Sequence, residues 1–179
     1  MALSGGWANG MSDFSYGSIS TEKDRSIPIR LNRVHDYKDK FILRCLQEDA
    51  RRENPGFLWF QEKSQTAKIA WASCGPGYEP IGYYICDKER PAHVPGILGD
   101  VWYPHSLAQI FVKPGNRGKG IGTKMVQDFL SERNECSIWV ESPKYETRSI
   151  LTRLGLREHE RPYEVWQMMA GLTRWNRFR

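Results

Sequence analysis

The residues with the clearest chemical potential are the glycines of residues 109–123, a segment that reads QIFVKPGNRGKGIGT. Apolar residues form a strand-like run before the loop and return at helical spacing from Ile121 onwards. Gly118, Gly120 and Gly122 therefore lie at the start of a predicted helix, where the first N–H groups have no partner within the helix and the helix dipole is positive. Because glycine has no Cβ, an anion can approach these amides closely. This combination predicts a binding site for a phosphate group.

The distribution of charge favours an anion at the same place. The formal net charge is +5, and the whole basic excess lies after residue 109. No Asp or Glu occurs between Asp100 and Asp128, whereas Arg117, Lys119 and Lys124 all fall within that stretch. A local positive field of this kind attracts phosphates.

Two better-known glycine loops do not fit the spacing. A Walker A loop has four residues between its first glycine and a Gly-Lys-Ser/Thr triplet; Gly115 and Gly120 have that interval, but Ile121 stands where the lysine is required. The dinucleotide fingerprint GxGxxG also fails, because Thr123 occupies the position of the third glycine. The sequence thus supports neither ATP bound by a Walker A loop nor NAD.

The spacing that does fit is Arg117-x-x-Gly120-x-Gly122, preceded by a strand that ends Ile-Phe-Val-x-Pro. In this strand-loop-helix setting the segment resembles the GNAT superfamily of acyl-CoA N-acyltransferases, whose signature is Arg/Gln-x-x-Gly-x-Gly/Ala. Residues 153–156, Arg-Leu-Gly-Leu, are similar to the Lys-x-Gly-Phe ending that is common in the family. The resemblance covers residues 27–169 and is most specific in the glycine loop.

The resemblance implies a fold, a co-substrate and an activity. The sheet is expected to splay after its fourth strand and to hold the pantetheine arm of acetyl-CoA near Ile110 and Val112, with the pyrophosphate on the amides of the helix start. The implied activity is that of an N-acetyltransferase, which moves an acetyl group from acetyl-CoA to a primary amine by direct attack on the thioester. The residues implied to bind acetyl-CoA are Ile110, Phe111, Val112, Arg117, Gly118, Lys119, Gly120, Ile121, Gly122 and Thr123.

This transfer needs a group that accepts a proton from the attacking amine. Many GNAT members carry a glutamate base at the position that counting assigns to Ser106. The candidate bases are instead His105, whose ordinary pKa of about 6.5 suits proton transfer near neutrality, and the carboxylates of Asp100 and Glu141. The sequence leaves these three alternatives open.

The departing thiolate also takes up a proton. The tyrosine that commonly supplies it in the family falls on Leu151 here, which has no proton to give. Tyr145 is the remaining candidate acid, although six residues of helix turn it to another face. A CoA thiol with a pKa near that of cysteine, about 8.5, can leave without strong acid help, so the chemistry remains feasible.

The elements that position these residues follow a mixed pattern. Residues 88–105 combine prolines, glycines and aromatic residues and are predicted to form a long irregular loop with a functional role. The order of elements predicts an α/β fold with a mixed sheet covered by helices. The resemblance implies that this is a GNAT-like mixed, splayed central sheet flanked by helices. A flexible lead-in is expected at 1–24, a single domain at 25–170 and a basic, aromatic tail at 171–179. Strands are predicted at 27–31, 68–74, 81–87, 107–112, 137–141 and 165–169, and helices at 37–50, 118–133 and 145–154.

Composition excludes several other classes of protein. The four cysteines, Cys45, Cys74, Cys86 and Cys136, are too far apart in sequence for a CxxC pair or a zinc motif, so no metal site is predicted. No apolar run approaches the roughly 18–20 residues that cross a bilayer. The N-terminus lacks a basic segment followed by a hydrophobic stretch. We therefore expect a cytoplasmic protein with no membrane partner.

Three functions stay open at this point. The first is acetyl transfer to a protein or small-molecule amine. The second is transfer to an amine carried by nucleic acid, either an aminoacyl-tRNA or a modified base, because cations alternate with Trp175 and Phe178 in residues 173–179. The third is a non-catalytic binding protein with a GNAT fold, which Ser106 and Leu151 favour.

Overall fold

The computed structural model describes residues 27–88, 92–94, 101–133, 137–160 and 167–172. The helices are α1 (Tyr37–Glu53), α2 (Ile121–Ser131) and α3 (Tyr145–Arg153), with a 3₁₀ turn at Pro114–Asn116. The strands are β1 (Ile29–Arg33), β2 (Gln65–Cys74), β3 (Gly77–Asp87), β4 (Ala92–Val94), β5 (Val101–Tyr103), β6 (His105–Val112), β7 (Ser137–Glu141), β8 (Arg157–Glu160) and β9 (Gln167–Leu172).

Helix α1 begins where the sequence provides a cap. The Asp36 carboxylate accepts a hydrogen bond from the Asp39 N–H at 2.8 Å, which satisfies one of the free donors of the first turn. Leu43, Leu46 and Ala50 recur at helical spacing and are buried, so one face of the helix packs on the sheet.

Seven strands form one sheet in the order β1-β2-β3-β6-β7-β9-β8, and β4 and β5 form a separate two-stranded ribbon. Neighbouring strands of the sheet are antiparallel except β6 and β7, which are parallel. Their parallel pairing consists of His105 with Ile138 and Ser106 with Trp139, and beyond these pairs the strands part. The mixed, splayed sheet predicted from the sequence is confirmed.

The helices are divided between the two faces of the sheet. Helix α1 packs on the face that carries Tyr83, Ile85 and Phe111. Helices α2 and α3 pack on the opposite face with Tyr84 and Cys86. Both faces of β3 are therefore covered, which explains its apolar run IGYYIC. Within the described ranges, no helix is long and apolar enough to cross a bilayer.

Apart from shifts of a few residues at the ends of elements, the structure differs from the sequence prediction in three places. The segment 88–105 contains β4, β5 and the first residue of β6, because three-residue strands are too short to show a period. Strand β8 was not anticipated, since its sequence REHE has no apolar alternation; it forms the sheet edge through backbone pairing with β9. Strand β9 continues to Leu172, two residues into the predicted tail. The predicted lead-in at 1–24, residues 173–179 of the tail and the first residues of the strand predicted at 165–169 lie outside the described residues.

A partly buried ion cluster fastens α2 to the sheet. Lys68 Nζ lies 2.7 Å from Asp128 Oδ2 and 2.9 Å from Glu132 Oε1. Tyr84 donates to the same Asp128 oxygen at 2.6 Å. Burial alone would lower the pKa of Lys68, but its hydrogen bonds to Asp128 and Glu132 outweigh burial and raise it. Burial alone would raise the pKa of Glu132, but Lys68 and two nearby arginines lower it. The cluster holds the helix that follows the glycine loop.

Replacing the central cation is expected to destabilise the fold in a pH-dependent way. Lys68→Met should lower the free energy of unfolding at neutral pH by about 1–3 kcal/mol, because the partly buried Asp128 then loses this cation and Glu132 keeps only Arg33 and Arg133. The pKa of Glu132 is lower in the folded protein than in the unfolded chain. The stabilisation that ionised Glu132 gives the wild-type protein is therefore complete above the pKa of Glu132 in the unfolded chain, and it is lost as the pH falls through the pKa of Glu132 in the folded protein. Urea unfolding should therefore show a difference between the two proteins that shrinks from neutral to acidic pH.

A surface ion pair provides the control. Arg52 lies 3.0 Å from Asp49 and its side chain is 77% exposed. Arg52→Met should cost less than about 1 kcal/mol at any pH. Equal losses in the two variants would contradict a special role for the Lys68 cluster.

Candidate functional site

A cleft opens where β6 and β7 part, and it encloses about 150 Å³. One wall is formed by residues 107–110 of β6, and the opposite wall by residues 140–144 and Thr147. Asn54 and Phe57, which follow α1, complete the lining. Strands β6 and β7, which α2 separates in the sequence, thus line one concave site.

Strand β6 carries a bulge at the cleft. Ile85 of β3 pairs with Gln109 and Cys86 pairs with Leu107, so Ala108 has no partner opposite it. Ala108 packs with the α1-side cluster, and the Gln109 side chain lies on that same face, where Tyr83 donates to Gln109 Oε1 at 3.2 Å. A bulge of this kind bends a strand and re-aims its side chains, here at the point where the cleft begins.

The Gln109 amide also fixes the wall that follows α1. Its Nε2 donates to the Leu58 carbonyl at 2.7 Å, and Gln47 Nε2 of α1 donates to the same oxygen at 3.1 Å. The Phe60 N–H donates to Gln47 Oε1 at 3.3 Å. These hydrogen bonds hold the segment that contains Phe57 against β6.

The glycine loop joins the end of β6 to α2. Gly118 has φ of 72° and Gly120 has φ of 75°, both in the left-handed region that other residues rarely adopt. Gly120 is the N-cap of α2, no side chain caps the helix, and its first turn contains no acidic residue. The N–H groups of that turn are therefore suited to an anion, as the sequence predicted.

The three cations predicted to surround the phosphate are engaged with the protein itself. Arg117 Nη2 lies 2.6 Å from Glu53 Oε2. Lys119 Nζ donates to the Gly115 carbonyl at 2.8 Å, and Lys124 Nζ donates to the Ile27 carbonyl at 3.0 Å. Their charges still contribute to the local field, but these contacts tie the loop and the helix to their surroundings.

Glu141 is the predicted base that lines the cleft. It is the last residue of β7, and the next residue, Ser142, has φ of 40°, a left-handed value for a residue that has a Cβ. Backbone strain of this kind is concentrated at functional sites. The end of β7 is thus a candidate for the chemical step.

His105 and Ser106 begin β6 and face opposite sides of the sheet. Burial, and then the positive charge of Arg133, lower the pKa of His105, so the imidazole is neutral at neutral pH. Ser106 Oγ donates to Asp87 Oδ2 at 3.2 Å, and both residues are buried. Sequence reasoning did not find Asp87, because it lies 19 residues away and becomes a neighbour only through strand pairing.

The remaining candidates are less close to the cleft. Tyr145 is the first residue of α3, is 82% exposed and is not part of the described cleft lining. Leu151 is fully buried between α3 and the sheet. Asp100 lies outside the described residues. Among the residues that the structure describes, no cluster of three or more His, Cys, Asp or Glu could hold a metal ion.

Most cleft residues were not among the site residues predicted from the sequence, including Asn54, Phe57, Lys144 and Thr147. Lys144 Nζ lies 6.0 Å from the centre of the Phe57 ring, so the two walls approach each other at this point. Phe57 and Lys144 are distant in sequence, and no local pattern marks them as partners.

Comparison with known proteins decides the fold. A protein from Desulfovibrio desulfuricans that is assigned to the GNAT family of acetyltransferases superposes with a TM-score of 0.53 and 13% identity, over 82% of this chain and 99% of the other. This chain has the GNAT fold. AtaTR with acetyl-CoA bound also shares the GNAT fold, with a TM-score of 0.53 and 17% identity over 81% of this chain and 93% of the other.

Similarity in sequence is more limited than similarity in fold. No family model matches the chain. The mycothiol acetyltransferase of Nocardia farcinica is 32% identical over 69 residues, which are 38% of this chain and 22% of that protein. The GNAT fold of this chain thus comes with a sequence that departs from the family pattern at Ser106 and Leu151.

Proposed function

We propose that this chain is an acyl-CoA N-acyltransferase that moves an acetyl group from acetyl-CoA to a primary amine. The observation that carries the proposal is that the cleft and the glycine loop lie along the same strand, β6. The cleft runs along residues 107–110 of β6, and the same strand continues through Val112 into the glycine loop. A ligand with an extended arm and a diphosphate fits this arrangement, because the arm can occupy the cleft while the diphosphate accepts hydrogen bonds from the first turn of α2.

Two comparisons support acetyl-CoA as the co-substrate. AtaTR, which has the same fold, has been solved with acetyl-CoA bound. The relative from Nocardia farcinica is named a mycothiol acetyltransferase. In the proposed complex, residues 110–112 contact the pantetheine arm and residues 117–123 surround the pyrophosphate.

The chemical step is a direct transfer. The amine nitrogen attacks the thioester carbonyl carbon, a C–N bond forms, the C–S bond breaks, and the nitrogen gives up a proton. We propose Glu141 as the acceptor of that proton, because it combines a carboxylate with a place in the cleft lining. The thiolate, with a pKa near 8.5 for its thiol, leaves without a dedicated acid.

The acceptor proposed is an amine on a protein or a small molecule. The cleft offers both charges, with Glu141 and Lys144 in its lining, and so suits a polar acceptor. An acceptor carried by nucleic acid would use residues 173–179, which lie outside the described residues. An experiment must also distinguish both kinds of transfer from a third possibility, a non-catalytic role.

The test is to incubate the protein with acetyl-CoA labelled in the acetyl group and a cell extract, and to measure the label in the protein, nucleic-acid and small-molecule fractions. A Gly120→Glu variant serves as the blank. Label above the blank in the protein or small-molecule fraction is the expected result. Label confined to nucleic acid would replace the proposed acceptor, and no label despite acetyl-CoA binding would refute acetyl transfer.

A further inference from the structure

We infer that Glu53 is a positioning residue for the phosphate-binding loop. Through Arg117 it holds the glycine loop against the last turn of α1, and so links the acyl-donor site to the cleft wall that follows this helix. The inference rests on the proposed function, because it concerns the binding of acetyl-CoA. It also changes the role that the sequence suggests for Arg117.

The Arg117 guanidinium connects three elements. Its Nη2 lies 2.6 Å from Glu53 Oε2 at the end of α1. Its Nε donates to the Val112 carbonyl at the end of β6, at 2.9 Å. The group also lies 5.7 Å from the centre of the Phe111 ring. A guanidinium presents its donors in a fixed fork, so these contacts define one orientation of the side chain.

This orientation directs Arg117 towards α1. Phe111 packs in the cluster on the α1 side of the sheet, whereas Ile121, the first residue of α2, packs on the opposite side. The free N–H groups of the loop therefore belong to α2, while the Arg117 charge is committed to α1. Arg117 acts as a tether for the loop, and the backbone amides are left to bind the phosphate.

Glu53 lies where it can link the position of the glycine loop to that of the cleft wall. It is the last residue of α1, and the next residue, Asn54, lines the cleft. The Phe57 N–H donates to the Asn54 carbonyl at 3.0 Å, which joins the second residue of this wall to the first. A movement of the glycine loop is thereby coupled to the wall of the cleft, although the two are far apart in sequence.

The direction in which the affinity for acetyl-CoA changes when Glu53 is replaced tests whether the Glu53–Arg117 ion pair positions the loop. Acetyl-CoA is an anion, so removal of a nearby carboxylate would by itself strengthen its binding. If Glu53 positions the loop, Glu53→Ala should instead weaken acetyl-CoA binding, by about three- to tenfold. Isothermal titration of the full-length protein with acetyl-CoA measures this directly and does not depend on catalysis.

Matched variants separate the tether from general effects. Glu48→Ala removes the same charge from the same helix, where Glu48 lies 3.8 Å from Arg44, and should change the affinity less than about twofold. Glu53→Gln keeps a hydrogen-bond acceptor for Arg117 and should restore most of the affinity. Glu53→Ala added to Arg117→Gln should cause no further loss of affinity, because the tether is already gone and only the repulsion between Glu53 and acetyl-CoA is removed.

The salt dependence of binding gives a second readout, which a loss of stability would not change. If Arg117 remains with Glu53 when acetyl-CoA binds, Arg117→Gln should weaken binding without altering the slope of affinity against salt concentration. Unchanged or tighter binding by Glu53→Ala, or a shallower salt slope for Arg117→Gln, would overturn the inference. Failure of the wild-type protein to bind acetyl-CoA would instead refute the proposed function.

Discussion

Gly120→Glu is expected to reduce the affinity for acetyl-CoA by about 100-fold or more. Gly120 caps α2 at φ of 75°, so the new carboxylate projects from the position where the pyrophosphate is proposed to bind. Two unit charges roughly 6 Å apart repel by about 3 kcal/mol at an effective dielectric constant of about 20, which corresponds to more than a hundredfold in affinity. Isothermal titration with acetyl-CoA, or its displacement of a fluorescent CoA analogue, measures the loss.

Two controls isolate the charge. Gly120→Gln has the same size and the same left-handed backbone strain but no charge, and should lose less than about tenfold. Gly115→Ala changes a glycine of the same connection whose added Cβ meets nothing within 4 Å, and should bind normally. Equal losses for Glu and Gln would mean that shape, and not charge, excludes the ligand. Normal binding of acetyl-CoA by Gly120→Glu would show that the pyrophosphate does not bind at the glycine loop.

The glycine loop could be found in the sequence because its suitability for an anion depends only on residues that are adjacent in the chain. The positions of Gly118 and Gly120 within a strand-loop-helix pattern already indicate free amides that a ligand can approach, and in the structure Gly120 is the N-cap of α2 with no side-chain cap. The same holds for the order of the long strands and of the three helices, which follows from hydrophobic period alone. Local signals of this kind were enough to predict a mixed sheet flanked by helices, whereas the splay of the sheet beside the loop was implied by the resemblance to the GNAT superfamily.

The part of the cleft wall that follows α1 could not be predicted, because it depends on contacts between distant segments. The partner of Arg117 is Glu53, 64 residues earlier, and the Leu58 carbonyl reaches Gln109 across 51 residues. No period or motif marks such pairs. The short strands β4 and β8 were missed for a related reason, since they are defined by backbone pairing with a neighbouring strand and not by a period in their own sequence.

The departures from the family pattern acquire a physical meaning in the structure. Ser106 stands where a glutamate is common, and its hydroxyl donates to the buried Asp87 carboxylate on the next strand. Gln65 Nε2 donates to the other oxygen of Asp87 at 2.9 Å. The Asp87 carboxyl group thus lies next to position 106, but it is buried and hydrogen-bonded. Glu141, the last residue of β7, is half-buried and lines the cleft, so we expect it to be the more accessible place for proton transfer.

Glu141→Gln is expected to lower kcat by about 100-fold or more, with KM for acetyl-CoA changed less than about threefold. Glutamine preserves the shape of the side chain but cannot accept the amine proton, and general bases contribute about 10²–10⁴-fold to rates. Steady-state release of free CoA, measured with the acceptor identified by labelling, gives both constants. A fall in kcat alone would show that Glu141 acts in the chemical step and not in donor binding.

Glu146→Gln and His105→Asn complete this test. Glu146 lies five residues further on, in the exposed first turn of α3, so its neutralisation should leave both constants unchanged. If His105 were the base instead, His105→Asn would carry the large loss. The wild-type rate would then fall as the imidazole becomes protonated, below the usual histidine range, because burial and Arg133 lower its pKa. A pH profile that His105→Asn leaves unchanged, together with the loss in Glu141→Gln, would assign the proton to Glu141 at the end of β7, beside the cleft where β6 and β7 part.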